Sequence, residues 1–187
     1  MMYYSASMNT LDESLMNAVK EGKLLESSRT NIRLLLDGTE SPIAREAVEE
    51  LAAAGEWQEL NDRFYKTLAF GTGGLRGRTI GSIVTRAEQG NGGVNGRPEY
   101  PCVGTACMNY FNVGRAMRGL IIYVNKHVEA TDPGRKPRLV IGHDTRHFSR
   151  DFAEFCAKIG TDLGCDIYLF DSPRATPEIS FAIRELH

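Results

Sequence analysis

The run FGTGGLRGR, Phe70 to Arg78, places four glycines, a threonine and two arginines in nine residues. Glycine lets the backbone take positive φ and come close to a ligand. Successive backbone N–H groups in such turns form a concavity that binds anions. Thr72 adds a hydroxyl donor, and Arg76 and Arg78 add guanidinium forks that suit phosphate oxygens. The combination is what a phosphate-bearing group requires. It is neither a dinucleotide loop nor a P-loop: the sixth position from Gly71 is Arg76, and no Gly-Lys-Ser/Thr follows at the required spacing. Composition alone leaves two readings open, phosphate binding and a tight turn with surface arginines.

Two further stretches carry polar chemistry. GHDTRHFSR, Gly142 to Arg150, follows the apolar run RLVIG, and SPRATPEIS, Ser172 to Ser180, follows DIYLF. Both sit at the C-terminal ends of expected parallel strands, the edge where open α/β sheets collect ligands. Asp144 and Arg146 are read as a pair that positions a loop. His143 and His147 are four apart, but a strand-end turn does not supply the helical geometry that would let both ligate, so no metal site is assigned. Thr176 is read as a helix cap, with Arg174 a possible ligand contact. No Ser-His-Asp or Cys-His arrangement for nucleophilic catalysis is legible.

The elements that must position these residues follow from periodicity and punctuation. Thr10 and Glu13 match a capping box at the start of a first helix. Ser41 and Pro42 open another that Gly55 ends, and Trp57, Leu60 and Phe64 continue at helical spacing to about Leu68. The stretch from Glu40 to Arg63 holds seven acids and two arginines, the pattern of a solvated helical face. A short strand is expected at Ile80–Val84, then a long glycine-rich loop including Gln89–Cys102. Val113, Ala116, Met117, Leu120, Ile121 and Val124 mark an amphipathic helix over Asn109–Val128. RLVIG is a buried strand. Ser149 caps a helix whose apolar face is Phe152, Phe155, Cys156, Ile159 and Leu163. DIYLF is the second strand, and Thr176-Pro177 opens a last helix running to His187. This βαβα order expects a parallel sheet, and a further strand should follow the last helix, so the polypeptide is expected to be part of something longer.

The chain has 187 residues, 42% hydrophobic, with a formal charge of −2. That is enough for a sizeable α/β core and lacks the basic balance of a nucleic-acid-binding domain. No apolar run reaches the ~18 residues of a membrane span, and MMYYSASMNT is not a signal peptide, so a cytoplasmic protein is expected. Cys102, Cys107, Cys156 and Cys165 fit no zinc spacing. Reduced thiols are expected, with a structural disulfide as the alternative.

Taken in order, FGTGGLRG, IGHDTRHFS and a Thr-Pro pair opening a helix resemble the N-terminal domain of the phosphoglucomutase/phosphomannomutase family, the α-D-phosphohexomutases. GTACMNYFNVGRAMRGL, Gly104 to Leu120, is similar to the segment between the first two motifs. The resemblance spans about Trp57 to His187. It implies an α/β fold with a mixed, mostly parallel sheet flanked by helices over 57–187, preceded by a helical leader over 1–56. It also implies interconversion of sugar 1-phosphates and 6-phosphates through a phosphoserine and a bisphosphorylated intermediate. Thr72 and Arg76 are carried over as catalytic, Gly73, Gly74 and Arg78 as phosphate-binding, and Asp144 and Arg146 as supporting residues. A phosphosugar substrate, the remaining domains of the same polypeptide, Mg²⁺ held by those domains and a glucose 1,6-bisphosphate-type activator are implied. The family's Thr-Ala-Ser-His-Asn-Pro serine loop and Asp-x-Asp-x-Asp metal loop are not in this sequence, so the chain alone is expected to be inactive. Gly73 stands where members often carry Ser or Ala, and the Gln89–Cys102 insert is longer than usual. The rival reading is a stand-alone phosphosugar- or anion-binding module without catalysis.

Overall fold

The computed structural model describes residues 2–71 and 73–186, and the side chains of 10–71, 73–93 and 95–186. The chain divides into two compact units at the Asn109–Tyr110 junction.

The first unit opens with four helices, α1 (Met2–Lys20), α2 (Glu26–Asp37), α3 (Pro42–Ala53) and α4 (Trp57–Phe64). Each presents apolar residues three and four apart, and these form the core: Leu11 and Leu15, Ile32 and Leu35, Val48 and Leu51, Leu60 and Phe64. Burying one such side chain contributes about 1.5–3 kcal/mol. Amide side chains tie the helices by their backbones. Asn61 accepts the Leu25 N–H at 2.8 Å and donates to the Lys23 carbonyl at 2.9 Å, and Asn31 donates to the Phe64 carbonyl at 2.7 Å.

Several local expectations are corrected here. Thr10 lies inside α1, because the residues before it also adopt helix and leave no terminus to cap. Ser41 occupies the N-cap position of α3, ahead of Pro42, but its side chain makes no cap hydrogen bond. Helix α2 has no counterpart in the sequence reading: ESSRTNIRLLLD opens on polar residues, and its buried apolar positions, Ile32 and Leu35, come in its second half. Helix α4 stops at Phe64 rather than near Leu68.

The expectation of a solvated face over Glu40–Arg63 fails at its end. Arg63 is 0% exposed and Glu59 4%. Arg63 Nε donates to Glu59 Oε1 at 2.8 Å, Nη1 to Glu88 Oε1 at 2.5 Å and Nη2 to the Ile83 carbonyl at 2.5 Å. Nη1 also reaches the Val103 carbonyl at 3.3 Å. Local charge counting missed this because three of the four partners lie outside the helix.

Glu88 is itself over-determined. It belongs to α5 (Arg86–Gln89), whose Thr85 N-cap forms a reciprocal capping box with it, and its Oε1 accepts the Val103 N–H at 2.7 Å. The expected strand at Ile80–Val84 does not form. These residues are bends and coil, and the Ile83 carbonyl that a ladder would use accepts from Arg63 instead. The Gln89–Cys102 stretch is held by its own bonds, including Tyr100 N–H to the Glu88 carbonyl at 3.0 Å and Asn91 N–H to Glu99 Oε2 at 2.8 Å. A 3₁₀ turn spans Val94–Gly96.

The second unit runs α6 (Tyr110–Thr131), β1 (Arg138–Ile141), α7 (Ser149–Asp162), β2 (Asp166–Leu169) and α8 (Thr176–Glu185). Strands β1 and β2 pair in parallel, Leu139 opposite Ile167 and Ile141 opposite Leu169, with α7 as the crossover. The sheet is two-stranded, smaller than expected, so the described chain is α/β with a small parallel sheet. Met117, Ile121, Ile159 and Cys165 form its buried core, with Leu139, Phe155 and Ile167 packed on it. Two caps shift by one residue. Ser149 is the first helical residue of α7, behind Phe148 in the left-handed region at φ 65°, and Thr176 is the first of α8, behind Ala175. Leu163, expected on the apolar face of α7, is 42% exposed, because it follows the last helical turn. The expected run of α8 to the end of the chain falls short: the helix stops at Glu185, with Leu186 as its non-helical C-cap, and His187 lies outside the described residues. Among the described residues no helix is long and apolar enough to cross a membrane.

Two glycines separate packing from chain entropy. A Cβ on Gly81 would collide with Arg63 Nη2 and lie 2.6 Å from the Ile83 carbonyl, whereas a Cβ on Gly119, inside α6, meets nothing within 4 Å. Gly81→Ala is expected to cost about 1–3 kcal/mol and Gly119→Ala to add about 0.5–1 kcal/mol, read from urea midpoints at unchanged slope.

Candidate functional site

The glycine loop leaves α4 along a hydrogen-bonded path. Leu68 N–H donates to the Thr105 carbonyl at 2.7 Å and Ala106 N–H to the Arg63 carbonyl at 2.9 Å. The chain then folds into a tight turn in which Gly71 and Gly74 exchange N–H to carbonyl bonds, each 3.2 Å. Gly73 and Gly74 have φ of 85° and 112°, which only glycine adopts without strain. The Gly74 N–H is committed to this bridge, so it does not add to an anion-binding row of amides. Thr72 lies outside the described residues.

The two arginines differ. Arg76 is exposed, and its Nη2 would sit 3.0 Å from a Cβ placed on Gly73. Its guanidinium therefore lies over the turn. Arg78 is half-buried and turned inward. Its Nη1 donates to Ser82 Oγ at 2.9 Å, and its Nη2 lies 3.3 Å from Glu59 Oε2, near enough for a charge contact but off the line of a hydrogen bond. Between them, Gly77 is pressed on the 106–108 backbone: a Cβ there would lie 2.9 Å from the Ala106 carbonyl oxygen. Met108 N–H bonds the Arg78 carbonyl at 3.0 Å and Cys102 N–H the Thr79 carbonyl at 2.8 Å. The segment Cys102–Met108 thus backs the loop, and Arg63, through Val103 and Glu59, fixes both. The signal for this backing was the run of small residues in CVGTAC, where Gly104 leaves a gap that the Arg63 carbonyl fills.

The other candidates belong to the second unit, where the two strand-end loops meet. Arg174 N–H donates to the His143 carbonyl at 3.0 Å, and Arg150 Nη1 to the Asp171 carbonyl at 3.3 Å. Asp144 and Arg146 form an ion pair, Nε to Oδ2 2.7 Å, reinforced by the Arg146 N–H on Oδ1 at 3.0 Å. Asp144 N–H bonds Ser149 Oγ at 3.1 Å, which joins the loop to the first turn of α7. Arg174 is engaged locally, by Asp171 at 3.4 Å and Glu178 at 3.3 Å. His143 is buried, with Nε2 lacking a hydrogen-bond partner, and His147 is exposed. Among the described residues no group of three or more His, Cys, Asp or Glu side chains is placed to hold a metal ion.

With this geometry in place, the similarities to known proteins can be set beside it. The model of the phosphoglucomutase/phosphomannomutase family, alpha/beta/alpha domain I, matches residues 67–187. The chain belongs to this family. The phosphoglucomutase of Staphylococcus epidermidis is 31% identical over 129 residues, which is 69% of this chain and 18% of that protein. The phosphoglucomutase of Staphylococcus aureus strain USA300 is 30% identical over the same shares. The matched stretch therefore spans less than a fifth of these curated relatives. No solved structure matches the chain significantly.

Hydrogen bonding from Arg146 holds the Asp144 carboxyl at about 2, below its ordinary 3.8. A depressed carboxyl pKa contributes stability above the unfolded value, and that contribution is lost as pH falls through the folded value. The stability difference between the native chain and Asp144→Asn is expected to be flat above pH ~5 and to shrink between pH ~4 and ~2, measured by urea denaturation at each pH. A difference independent of pH would mean that the pair does not form in solution.

Proposed function

We propose that this chain is the N-terminal domain of a cytoplasmic phosphosugar mutase, an intramolecular phosphotransferase that interconverts hexose 1-phosphate and 6-phosphate. Residues 57–187 make its domain I and residues 1–56 a helical leader. What supports this most is the family match over 67–187 on a chain whose glycine turn carries an exposed arginine at Arg76. The reaction passes a phosphoryl group between a phosphoserine and the sugar through a bisphosphate, and a sugar bisphosphate of the glucose 1,6-bisphosphate kind serves as activator. The serine loop of this domain is expected shortly after the Thr176-Pro177 helix, and the Mg²⁺ ligands belong to later domains of the same polypeptide.

In this reading Thr72 and Arg76 face the transferring phosphoryl group. Its catalysis is mostly positioning and stabilisation of charge on the equatorial oxygens, and a guanidinium supplies both through its planar fork. Gly73 and Gly74 let the ligand come close to backbone. Arg78 contributes positive field rather than a direct contact, because it is half-buried, with Nη1 bonded to Ser82 and Nη2 held in a charge contact with Glu59. Asp144 and Arg146 shape the strand-end loop of the second unit.

In the mutase that contains this domain, Arg76→Ala should lower kcat/KM for glucose 1-phosphate about 10²–10³-fold, against less than about tenfold for Arg78→Lys. The 187-residue chain alone should give no turnover in a coupled assay, and measurable turnover by the pure chain would contradict the proposed division of labour. If Arg76→Ala leaves kcat/KM unchanged while calorimetry still shows phosphosugar binding, the loop belongs to a binding module without chemistry.

A further inference from the structure

Cys102 and Cys107 lie 3.2 Å apart, sulfur to sulfur, both buried in the segment that backs the glycine loop. All four cysteines are free thiols, but these two are set apart by their surroundings. Arg63 lies beside both sulfurs, and Arg78 beside Cys107. The hydrogen bond from Cys102 holds the Cys107 thiol below the ordinary range, against the effect of burial and with help from the two guanidiniums. The same bond and burial push Cys102 up. One sulfur is thus favoured as thiolate and the other as its proton-bearing partner, the polarity of an attacking and a resolving cysteine. By contrast Cys156 is pushed up to about 11 by burial alone.

We propose that Cys102 and Cys107 are a reversible oxidation site for hydroperoxides, closing to a disulfide within the backing segment. The Cys107 thiolate attacks one peroxide oxygen and the O–O bond breaks. The leaving hydroxide of hydrogen peroxide, or the alkoxide of an organic hydroperoxide, takes a proton to become water or alcohol, and Cys107 is left as a sulfenic acid. Cys102 then gives up its proton and attacks the Cys107 sulfur. The S–O bond breaks and the hydroxyl leaves as water. The dithiol loses two electrons, the peroxide gains them, and an external dithiol reverses the step. The sulfurs must close from 3.2 Å to about 2.05 Å. Because Cys102 N–H and Met108 N–H hold the Thr79 and Arg78 carbonyls, closure reaches the glycine loop through these two bonds. This inference does not rest on the mutase reading: the pair and its chemistry stand whatever the loop binds.

The test is oxidation of the folded chain by hydrogen peroxide, then thiol alkylation, trypsin digestion and mass spectrometry. Both cysteines fall in the peptide 87–115, since Arg97 precedes Pro98 and resists cleavage. The expected result is loss of about 2 Da in that peptide, no alkylation at Cys102 or Cys107, and recovery with dithiothreitol. Cys102→Ser should leave a Cys107 sulfenic acid that dimedone traps, and Cys107→Ser should leave Cys102 unreactive. Amide exchange at Cys102 and Met108 should differ by at least about threefold between the two forms. Full alkylation of both cysteines after peroxide treatment, bridging only after denaturation, or bridges to Cys156 or Cys165 would overturn the oxidation site. Equal exchange rates in the two forms would overturn its link to the loop.

Discussion

A fully buried guanidinium has to be answered on every donor, and the first unit is arranged around doing so for Arg63. Desolvating a cation costs several kcal/mol, and neutralising partners recover that only with good geometry and satisfied lone pairs. Here Glu59 comes from the same helix, Glu88 from α5, and the Ile83 and Val103 carbonyls from two otherwise irregular segments. Those segments have no ladder of their own, so the guanidinium stands in for the missing strand partner. Glu88 is held in turn by its capping box and by the Val103 N–H. The charge cluster thereby fixes a stretch of chain that secondary structure does not.

The glycine loop inherits its shape from this cluster. Glu59, paired with Arg63, also faces Arg78, and Gly77, Gly81 and Gly104 sit where a side chain would strike the Ala106 carbonyl, the Arg63 guanidinium or the Arg63 backbone. Glycine thus does two different jobs in one run. At Gly73 and Gly74 it permits positive φ, and at Gly77 and Gly81 it permits close packing. The arginines divide likewise: Arg78 is part of the frame, while Arg76 lies exposed over the turn. A loop that meets a charged ligand gains from such prior fixing, since less ordering remains to be done on binding.

Elements with strong periodicity were legible from the residues. Met117, Leu120, Ile121 and Val124 marked α6, Pro42 marked the start of α3, and the short apolar runs at 138–141 and 166–169 are paired strands. What was not legible depended on partners distant in sequence. Ile80–Val84 has a strand's composition, but its carbonyl is claimed by Arg63, and the acids around Glu59 look solvated until Glu88 and Val103 are brought beside them. Caps moved by one residue at Ser149 and Thr176 because the preceding Phe148 and Ala175 take the non-helical dihedrals. Of the candidate site, the turn and its family kinship were readable in FGTGGLRG, whereas the different orientations of Arg76 and Arg78 were not, since both are arginines two residues apart and only Glu59 and Ser82 tell them apart.

The most direct measurement is a double-mutant cycle between Arg63 and Glu88, with Arg63→Met, Glu88→Gln and the pair compared by urea denaturation of the whole chain. Each single change should cost about 3–5 kcal/mol by leaving an unanswered buried charge, and the double variant should cost at least about 2 kcal/mol less than the sum. Additivity within about 0.5 kcal/mol would show that the two charges do not meet in solution, and the frame described for the glycine loop would then be wrong.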